Sequence, residues 1–425
     1  MNQAPPQARV VLISTNAGTN MGGEAIKAFQ FFKYLLDQGF DACLLTHGRN
    51  RHELAGAFPT DRLIFIDDTP LQSFAWKSFL LRPVVPLYFH LAAAALIRRH
   101  FKPDSTILHY LCPVSPVAPR FQPRGFRVIM GPFTGNIPYP PAFAYRMGWR
   151  LRLTARLHRP VQRLLGMVFG DKRRADRILV SGYERTRESL LAAGCAPERL
   201  VDVADAGVSD AVASQPRIRH AGRNPRFVMS GRHDPHKGID LALRALARTP
   251  PDITLTIFGD GAVRPRMEAL TEELGLRGRV EFAGWQPHDT LLARLRDYRG
   301  YVFPSLAEAN GIVVQEAMML GLPVVTLLWG GPEMLGDATT CHYVGVGDEE
   351  QVVAGLAEAM ERLAGDGAYA EALAEAARAR AEARFRWETV AASWTAQYGA
   401  LIPGADQPAP DRSRTDGIDA GRRSR

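Results

Sequence analysis

Cysteine is scarce in this sequence of 425 residues. It contains four, scattered along the chain without paired spacing: Cys43, Cys112, Cys195 and Cys341. Zinc sites and disulfide frameworks need cysteines at short, recurring intervals, so this pattern argues against both. It fits a protein that is kept in a reducing compartment such as the cytosol.

Long hydrophobic runs are also missing. The most apolar stretch, Pro83 to Ile97, offers about half of the length that a helix needs to cross a bilayer. Two interpretations stay open for it: a buried helix, or a segment in shallow contact with a membrane. The first apolar run near the start, Val10 to Ile13, is only strand length, so we expect no signal peptide and a cytoplasmic protein.

The positive charge is concentrated in one window. The net charge is +8, and Tyr145 to Arg177 holds ten basic and two acidic residues. The window is helical in pattern, and spacings of four, three and four place four arginines on one face, with Leu153, Leu157 and Leu164 on the other side. These arginines are Arg152, Arg156, Arg159 and Arg163. Pro160 is a potential kink in this helix.

Two explanations of this basic face stay open. One is an ordinary solvated helix face, and the other is a surface that meets anionic lipid headgroups at the inner side of a membrane. Nucleic acid is disfavoured, because no series of base-stacking aromatic residues accompanies the arginines.

Strand and helix patterns alternate along most of the chain. This alternation predicts parallel sheets covered by helices on both faces, arranged as two doubly wound, Rossmann-like domains that face a cleft. We assign residues 1–212 to a first domain, 213–385 to a second, 386–402 to a helix that packs back on the first domain, and 403–425 to a disordered tail.

Two loops in the second domain carry groups suited to a nucleotide diphosphate. In one, Glu308 follows a predicted strand and Glu316 lies on the helix that leaves the loop at Gly311 and Ile312. Amides that open a helix bind anions, and a nearby carboxylate accepts hydrogen bonds from sugar hydroxyls. The other loop, residues 230–238, supplies Arg232 and Lys237 to neutralise phosphate charge.

Together these residues resemble family 4 of the retaining GT-B glycosyltransferases, the glycosyl transferases group 1. The resemblance rests on the Glu308 and Glu316 pair, on Arg232 and Lys237, and on two strand motifs, residues 257–261 and 280–284. It implies that Arg232 and Lys237 bind the diphosphate, Glu308 the donor sugar region and Glu316 the ribose. Further implied donor contacts are Asn310, Gly311 and Ile312, with the base near Gly284 and Trp285. No bound metal or other cofactor is implied.

The resemblance is looser in the first domain. Gly22 and Gly23, before Glu24, are similar to the family's glycine loop, which approaches the phosphate and the acceptor. Many members carry a histidine in a central first-domain loop, whereas the corresponding stretch here, residues 130–136, has none. His109 and Asn136 are the two candidate substitutes. After Glu308 the chain also has Ala309 and Asn310 where glycine and an aromatic residue are common.

The sequence therefore predicts transfer of a sugar from a nucleoside diphosphate to an acceptor hydroxyl, with retained anomeric configuration. A lipid-linked or other glycan acceptor, in the assembly of bacterial surface polysaccharide or glycolipid, would suit the basic helix. Two alternatives stay open: a sugar-nucleotide epimerase of the same architecture, and a non-catalytic subunit that keeps the fold.

Overall fold

The computed structural model describes residues 8–19, 23–67, 69, 85–135 and 137–401. Within these residues, one parallel sheet has seven strands in the order β3-β2-β1-β4-β5-β6-β7. Its strands are β1 (Arg9–Ile13), β2 (Ala42–His47), β3 (Leu63–Ile66), β4 (Thr106–Tyr110), β5 (Arg127–Phe133), β6 (Arg177–Val180) and β7 (Leu200–Asp202). We call this sheet and the helices that cover it the first domain.

The helices of the first domain cover both faces of its sheet. Those in the described residues are α1 (Gly23–Asp37), α2 (Arg51–Ala55), α3 (Val85–His100), α4 (Trp149–Phe169), α5 (Asp171–Arg174) and α6 (Tyr183–Ala192). Successive residues of a strand point to opposite faces. In β1, accordingly, Val10 and Leu12 belong to one core cluster, while Val11 and Ile13 belong to the other.

A second parallel sheet has six strands in the order β10-β9-β8-β11-β12-β13. Its strands are β8 (Arg226–Ser230), β9 (Thr254–Phe258), β10 (Val280–Gly284), β11 (Gly300–Phe303), β12 (Val324–Leu327) and β13 (His342–Val344). The remaining described helices are α7 (Asp210–Ala213), α8 (Ile239–Leu246), α9 (Arg264–Glu273), α10 (His288–Leu295), α11 (Ile312–Leu320), α12 (Gly331–Leu335), α13 (Glu349–Gly365), α14 (Gly367–Arg384) and α15 (Trp387–Gly399). We call this sheet with α8 to α14 the second domain.

Both sheets reverse their strand order in the middle, at β1 and β4 in the first and at β8 and β11 in the second. A sheet of this kind binds ligands at such a reversal, outside the carboxyl ends of its strands. The architecture is the doubly wound α/β pair that the sequence predicts, and the chain has the GT-B fold.

The last helix, α15, crosses back to the first domain. A parallel bridge between Val208 and Arg386 marks the crossing. Trp387, Trp394 and Tyr398 of α15 lie in the core cluster that also contains Phe31 of α1. The Trp394 indole N–H donates to the Ala204 carbonyl at 3.0 Å.

A segment between β5 and α4 also joins the domains. We call residues 137–148 the crossing segment. Its Tyr139, Phe143 and Met147 are buried in a core cluster of the second domain. Its Arg146 forms ion pairs with Asp240 at 2.8 Å and Glu349 at 2.7 Å, both from the second domain. The first domain is thus anchored to the second domain by the residues directly before α4.

Predicted and observed elements differ at the end of β5. Residues 130–133 are predicted as a loop but form the end of β5. The neighbouring strands β4 and β6 pair with this segment despite its Gly131 and Pro132. The helix predicted within residues 386–402 corresponds to α15, which spans Trp387–Gly399. Residues 403–425, predicted to be disordered, lie outside the described residues.

The apolar stretch from Pro83 to Ile97 mostly falls in α3. Phe89, Ala93 and Ile97 of this helix pack into the core of the first domain, whereas Tyr88 and Leu91 are exposed. Within the part of the chain that the structure describes, no helix combines the length and apolarity that crossing a membrane requires.

Candidate active site

The loop after β8 places two cations at the carboxyl edge of the second sheet. Lys237 is mostly buried, and its ammonium forms an ion pair with the Glu308 carboxylate at 2.5 Å. Arg232 instead lies 81% exposed and pairs with Asp234 at 2.8 Å. Arg232 and Lys237 line the same small cavity, together with Phe303.

Gly238 ends this loop and allows it to approach the next strand. It has a φ of +68°, a backbone conformation that favours glycine. A Cβ at this position would collide with the carbonyl oxygen of Pro304. Because β8 and β11 are neighbours, this close approach is what brings Lys237 to Glu308.

The loop after β11 holds Glu308 and opens α11. Gly311 caps this helix with a φ of +72°. A Cβ on Gly311 would lie 3.7 Å from the Glu308 side chain, so the helix opening and this carboxylate are adjacent. Ile312 is the first residue of α11, and Asn310 turns its side-chain oxygen toward Gln315 Nε2 at 3.1 Å.

Glu316 lies on α11 and faces α10. Its Oε1 accepts a hydrogen bond from His288 Nε2 at 3.1 Å. This hydrogen bond raises the pKa of His288 above its ordinary value, against the opposing effect of burial.

A buried tyrosine links the two glutamates electrostatically. Tyr301 is fully buried and its hydroxyl contacts Ser230 Oγ at 2.6 Å. Burial raises the pKa of Tyr301, its hydrogen bonds with Ser230 lower it, and the negative charges of Glu316 and Glu308 raise it.

Gly284 and Trp285 lie at the carboxyl end of β10, the outermost strand of the second sheet on this side. Gly284 closes β10 with a φ of +70°, and its carbonyl accepts from the Gly259 amide at 2.7 Å. The Trp285 side chain is 74% exposed. An exposed indole next to the strand edge offers a flat surface for stacking.

The first domain forms the opposite wall of the cleft. The carbonyl of Pro138 accepts a hydrogen bond from the Trp329 indole at 3.0 Å. Arg185 of α6 lies over the same indole, with its guanidinium carbon 3.9 Å from the ring centroid. The loop that follows Trp329 is tied to the Glu308 loop, because the Gly331 amide donates to the Glu308 carbonyl at 2.8 Å.

One predicted first-domain contact is wrong. His109 is fully buried, and its two ring nitrogens contact the Tyr398 hydroxyl at 2.7 Å and the Gly131 carbonyl at 2.8 Å. Burial lowers its pKa to about 4. His109 therefore joins β4 to α15 inside the core, because its ring already has partners on both sides and no access to the cleft.

Two other first-domain candidates, Gly22 and Asn136, lie outside the described residues. Gly23 and Glu24 begin α1, and Glu24 is partly exposed. The described residues contain no group of three or more histidine, cysteine, aspartate or glutamate side chains arranged to hold a metal ion.

The structure thus brings Lys237, Glu308 and Gly311 together, and it places Glu316 beside them on α11. Sequence reasoning missed His288, Trp329 and Arg185. His288 stands three residues after Trp285, and this proximity to a predicted base site was the available signal. Trp329 directly precedes the glycine pair of the second-domain loop, whereas nothing local distinguishes Arg185 from neighbouring arginines.

The contact between His288 and Glu316 predicts a titration. Replacing Glu316 with glutamine removes the charge that favours the protonated ring, so we expect the pKa of His288 to fall in Glu316→Gln, measured by NMR. In the wild type the stabilisation from the pair is present below about pH 6.5 and is lost as the pH rises through the raised pKa. Because His288 is half exposed, we expect the pair to stabilise the folded protein by only about 0–1 kcal/mol.

His342 is the internal control. Its pKa is lowered by burial, and its ring contacts Tyr369 rather than α11. An unchanged His288 titration in Glu316→Gln, or an equal change at His342, would contradict the assigned pairing.

Comparison with known proteins finds a family model that matches part of the chain. Residues 213–380 match the model of the family described as glycosyl transferases group 1. A glycogen synthase of Mycobacterium tuberculosis is 36% identical over 198 residues, which cover 45% of this chain and 47% of that protein. The lipopolysaccharide core biosynthesis glycosyltransferase LpsE of Rhizobium meliloti is 34% identical over 152 residues, which cover 36% and 43%. The chain thus spans about half the length of the curated relatives it matches.

Solved structures resemble most of the chain. Alr3699/HepE of Anabaena, crystallised in complex with UDP and glucose, aligns with a TM-score of 0.63 and 16% sequence identity. The alignment covers 92% of this chain and 100% of that one. At this identity the likeness speaks for the fold alone. The similarity to the glycosyl transferases group 1 family is carried by residues 213–380.

Proposed function

We propose that the protein transfers a sugar from a nucleoside diphosphate sugar to an acceptor hydroxyl, with retention of the anomeric configuration. The observation that carries the proposal is the ion pair between Lys237 and Glu308, next to the amides that open α11. A cation, a carboxylate and helix-opening amides at one sheet edge are what a sugar diphosphate needs.

The relatives support a nucleotide sugar as donor. Alr3699/HepE was crystallised with UDP and glucose, and LpsE is named for lipopolysaccharide core biosynthesis. We propose the same donor class for this chain, and a glycan or lipid-linked glycan of the bacterial surface as acceptor.

In the proposed reaction, the acceptor oxygen bonds to the anomeric carbon on the face that the phosphate leaves. The bond between that carbon and the β-phosphate oxygen breaks, and its electron pair stays on the diphosphate. The acceptor proton moves to a leaving phosphate oxygen, so no separate general base is needed. Lys237 and Arg232 stabilise the negative charge that grows on the diphosphate.

Arg232 must turn away from Asp234 to take this role. The ion pair is exposed on the arginine side, and exposed pairs contribute only about 0–1 kcal/mol. A charge-assisted contact with a diphosphate is worth about 1.5–3 kcal/mol. The exchange therefore favours the diphosphate, and the surface position of Arg232 leaves it free to make the movement.

Removing either cation tests the donor site. In Arg232→Ala and Lys237→Ala we expect kcat to fall by at least about 100-fold, because a fixed group aimed at developing charge contributes on this scale. The donor base is first identified from the thermal shifts that UDP, GDP and ADP and their sugars produce.

Arg248→Ala is the matched control, because Arg248 is a surface arginine of the second domain that pairs with Glu350. It should leave kcat unchanged. Unchanged turnover in Lys237→Ala would reject the role of this residue. Epimerisation of a nucleotide sugar in the absence of acceptor would reject transfer as the primary activity.

We also propose that α4 lies on an anionic membrane. Its arginines at positions 152, 156, 159 and 163 are exposed, and so are the three leucines that the sequence places on another side. These leucines belong to an exposed apolar stripe: Trp149, Leu153, Leu157, Val161, Leu164, Met167 and Val168. A third face of α4, distinct from the arginine row and the apolar stripe, is buried and contains Gln162 and Gly166.

An apolar stripe beside a row of arginines is suited to the boundary between lipid headgroups and acyl chains. The helix runs through Pro160 without interruption, so stripe and arginines stay in register along its length. Arg159 also pairs with Glu188 of α6 at 2.6 Å, an exposed contact that lipid phosphates can replace at little cost.

Vesicle binding tests this contact. With phosphatidylcholine vesicles that contain phosphatidylglycerol, we expect the double change Leu157→Glu and Leu164→Glu to weaken binding at least tenfold, because each leucine contributes about 1.5–3 kcal/mol when buried. Binding is measured by co-sedimentation.

Leu191→Glu is the control, since Leu191 is an exposed leucine on the neighbouring α6. It should bind like the wild type. Absence of wild-type binding, or equal loss in the control, would contradict the proposed membrane contact.

A further inference from the structure

Arg185 is a first-domain cation that reaches the second domain. It lies in the first turn of α6, which starts directly after the carboxyl end of β6. Parallel sheets bind ligands outside these strand ends. The guanidinium stacks on Trp329 of the second domain, 3.9 Å from its ring centroid.

Trp329 holds this cation close to the Glu308 loop. The indole is fixed from the first domain by its hydrogen bond to Pro138 at 3.0 Å. The next residues, Gly330 and Gly331, pass along the Glu308 loop, and a Cβ on Gly330 would approach the Glu308 carbonyl oxygen to 2.8 Å. Arg185 is therefore separated from this loop by one short stretch of backbone.

The guanidinium of Arg185 has no hydrogen-bond acceptor among the described residues. Its Nη1 is buried without a partner, and none of its nitrogens forms a hydrogen bond or an ion pair with these residues. Other arginines with an unpartnered nitrogen satisfy the rest of the group: Arg120 donates to Ala118 and Arg299 to Ala221. Burial lowers the pKa of Arg185, and Glu333 and Glu188 oppose this only through space.

Stacking explains how the group is positioned for a ligand. The indole occupies one face of the planar guanidinium, whereas the N–H donors point outward along its edge. A buried N–H of a charged group costs free energy until an acceptor arrives. Phosphate oxygens match the fork of an arginine in geometry and charge.

We propose that Arg185 binds a phosphate group of a substrate in the cleft, opposite Lys237. This inference rests on the proposed function, because it supplies the first-domain half of the phosphate site. The phosphate belongs either to the donor diphosphate or to the acceptor. Both sources share the same chemistry, and two titrations separate them.

In the first titration, UDP, GDP or ADP is added to the full-length protein, and binding is measured by calorimetry. The second adds inorganic phosphate to the protein saturated with the tightest of these nucleotides. If the donor supplies the phosphate, Arg185→Ala weakens nucleoside diphosphate binding at least tenfold but leaves the nucleoside alone unaffected. If the acceptor supplies it, nucleotide binding is unchanged and the binding of inorganic phosphate is lost.

Two further variants separate charge from structure. Arg185→Lys keeps the charge and should recover part of the lost affinity. Arg187→Ala is the matched control, because Arg187 is on the same helix and pairs with Asp202 at 2.6 Å. It should bind like the wild type. Circular dichroism and the midpoint of thermal unfolding verify that each variant is folded.

The proposal is overturned if Arg185→Ala changes both titrations by less than twofold. It is also overturned if nucleoside and nucleoside diphosphate lose affinity equally, since the effect would then not depend on phosphate. Failure of the proposed function looks different, because the wild type would bind no nucleotide and transfer no sugar. In that case, inorganic pyrophosphate binding to wild type and Arg185→Ala still tests the cation.

Discussion

The ion pair between Lys237 and Glu308 is the contact on which the site depends. It joins the loops of two neighbouring strands, β8 and β11, at the point where the strand order of the second sheet reverses. Opposite charges held at a low-dielectric edge fix both loops and keep a cation where phosphate charge develops. Gly238 and Gly311 make the contact possible, because their backbone conformations let loop and helix approach.

The first domain contributes to the same cleft through the crossing segment. Tyr139, Phe143 and Met147 bury themselves in the second domain, and Arg146 secures them with two ion pairs. This segment leads directly into α4, the helix with the exposed apolar stripe. The proposed membrane surface and the cleft are therefore connected by one continuous stretch of chain.

Positions in the fold could be predicted from the sequence where the motif is local. Glu308, Glu316, Arg232 and Lys237 stand in motifs of strand, loop and helix, so their placement on one sheet edge follows from the alternation. Prediction failed where partners are distant: the hydroxyl that fixes His109 belongs to Tyr398, 289 residues later. The sequence also did not reveal that the apolar stripe of α4 is exposed, because an amphipathic pattern is the same whether its apolar side is covered or not.

A crystal structure with the nucleoside diphosphate that binds most tightly tests the central claim most directly. We expect the diphosphate to contact Lys237 and Arg232 at the opening of α11, with both ribose hydroxyls on Glu316. A nucleotide bound elsewhere, or one whose phosphates lie away from Lys237, would contradict this claim.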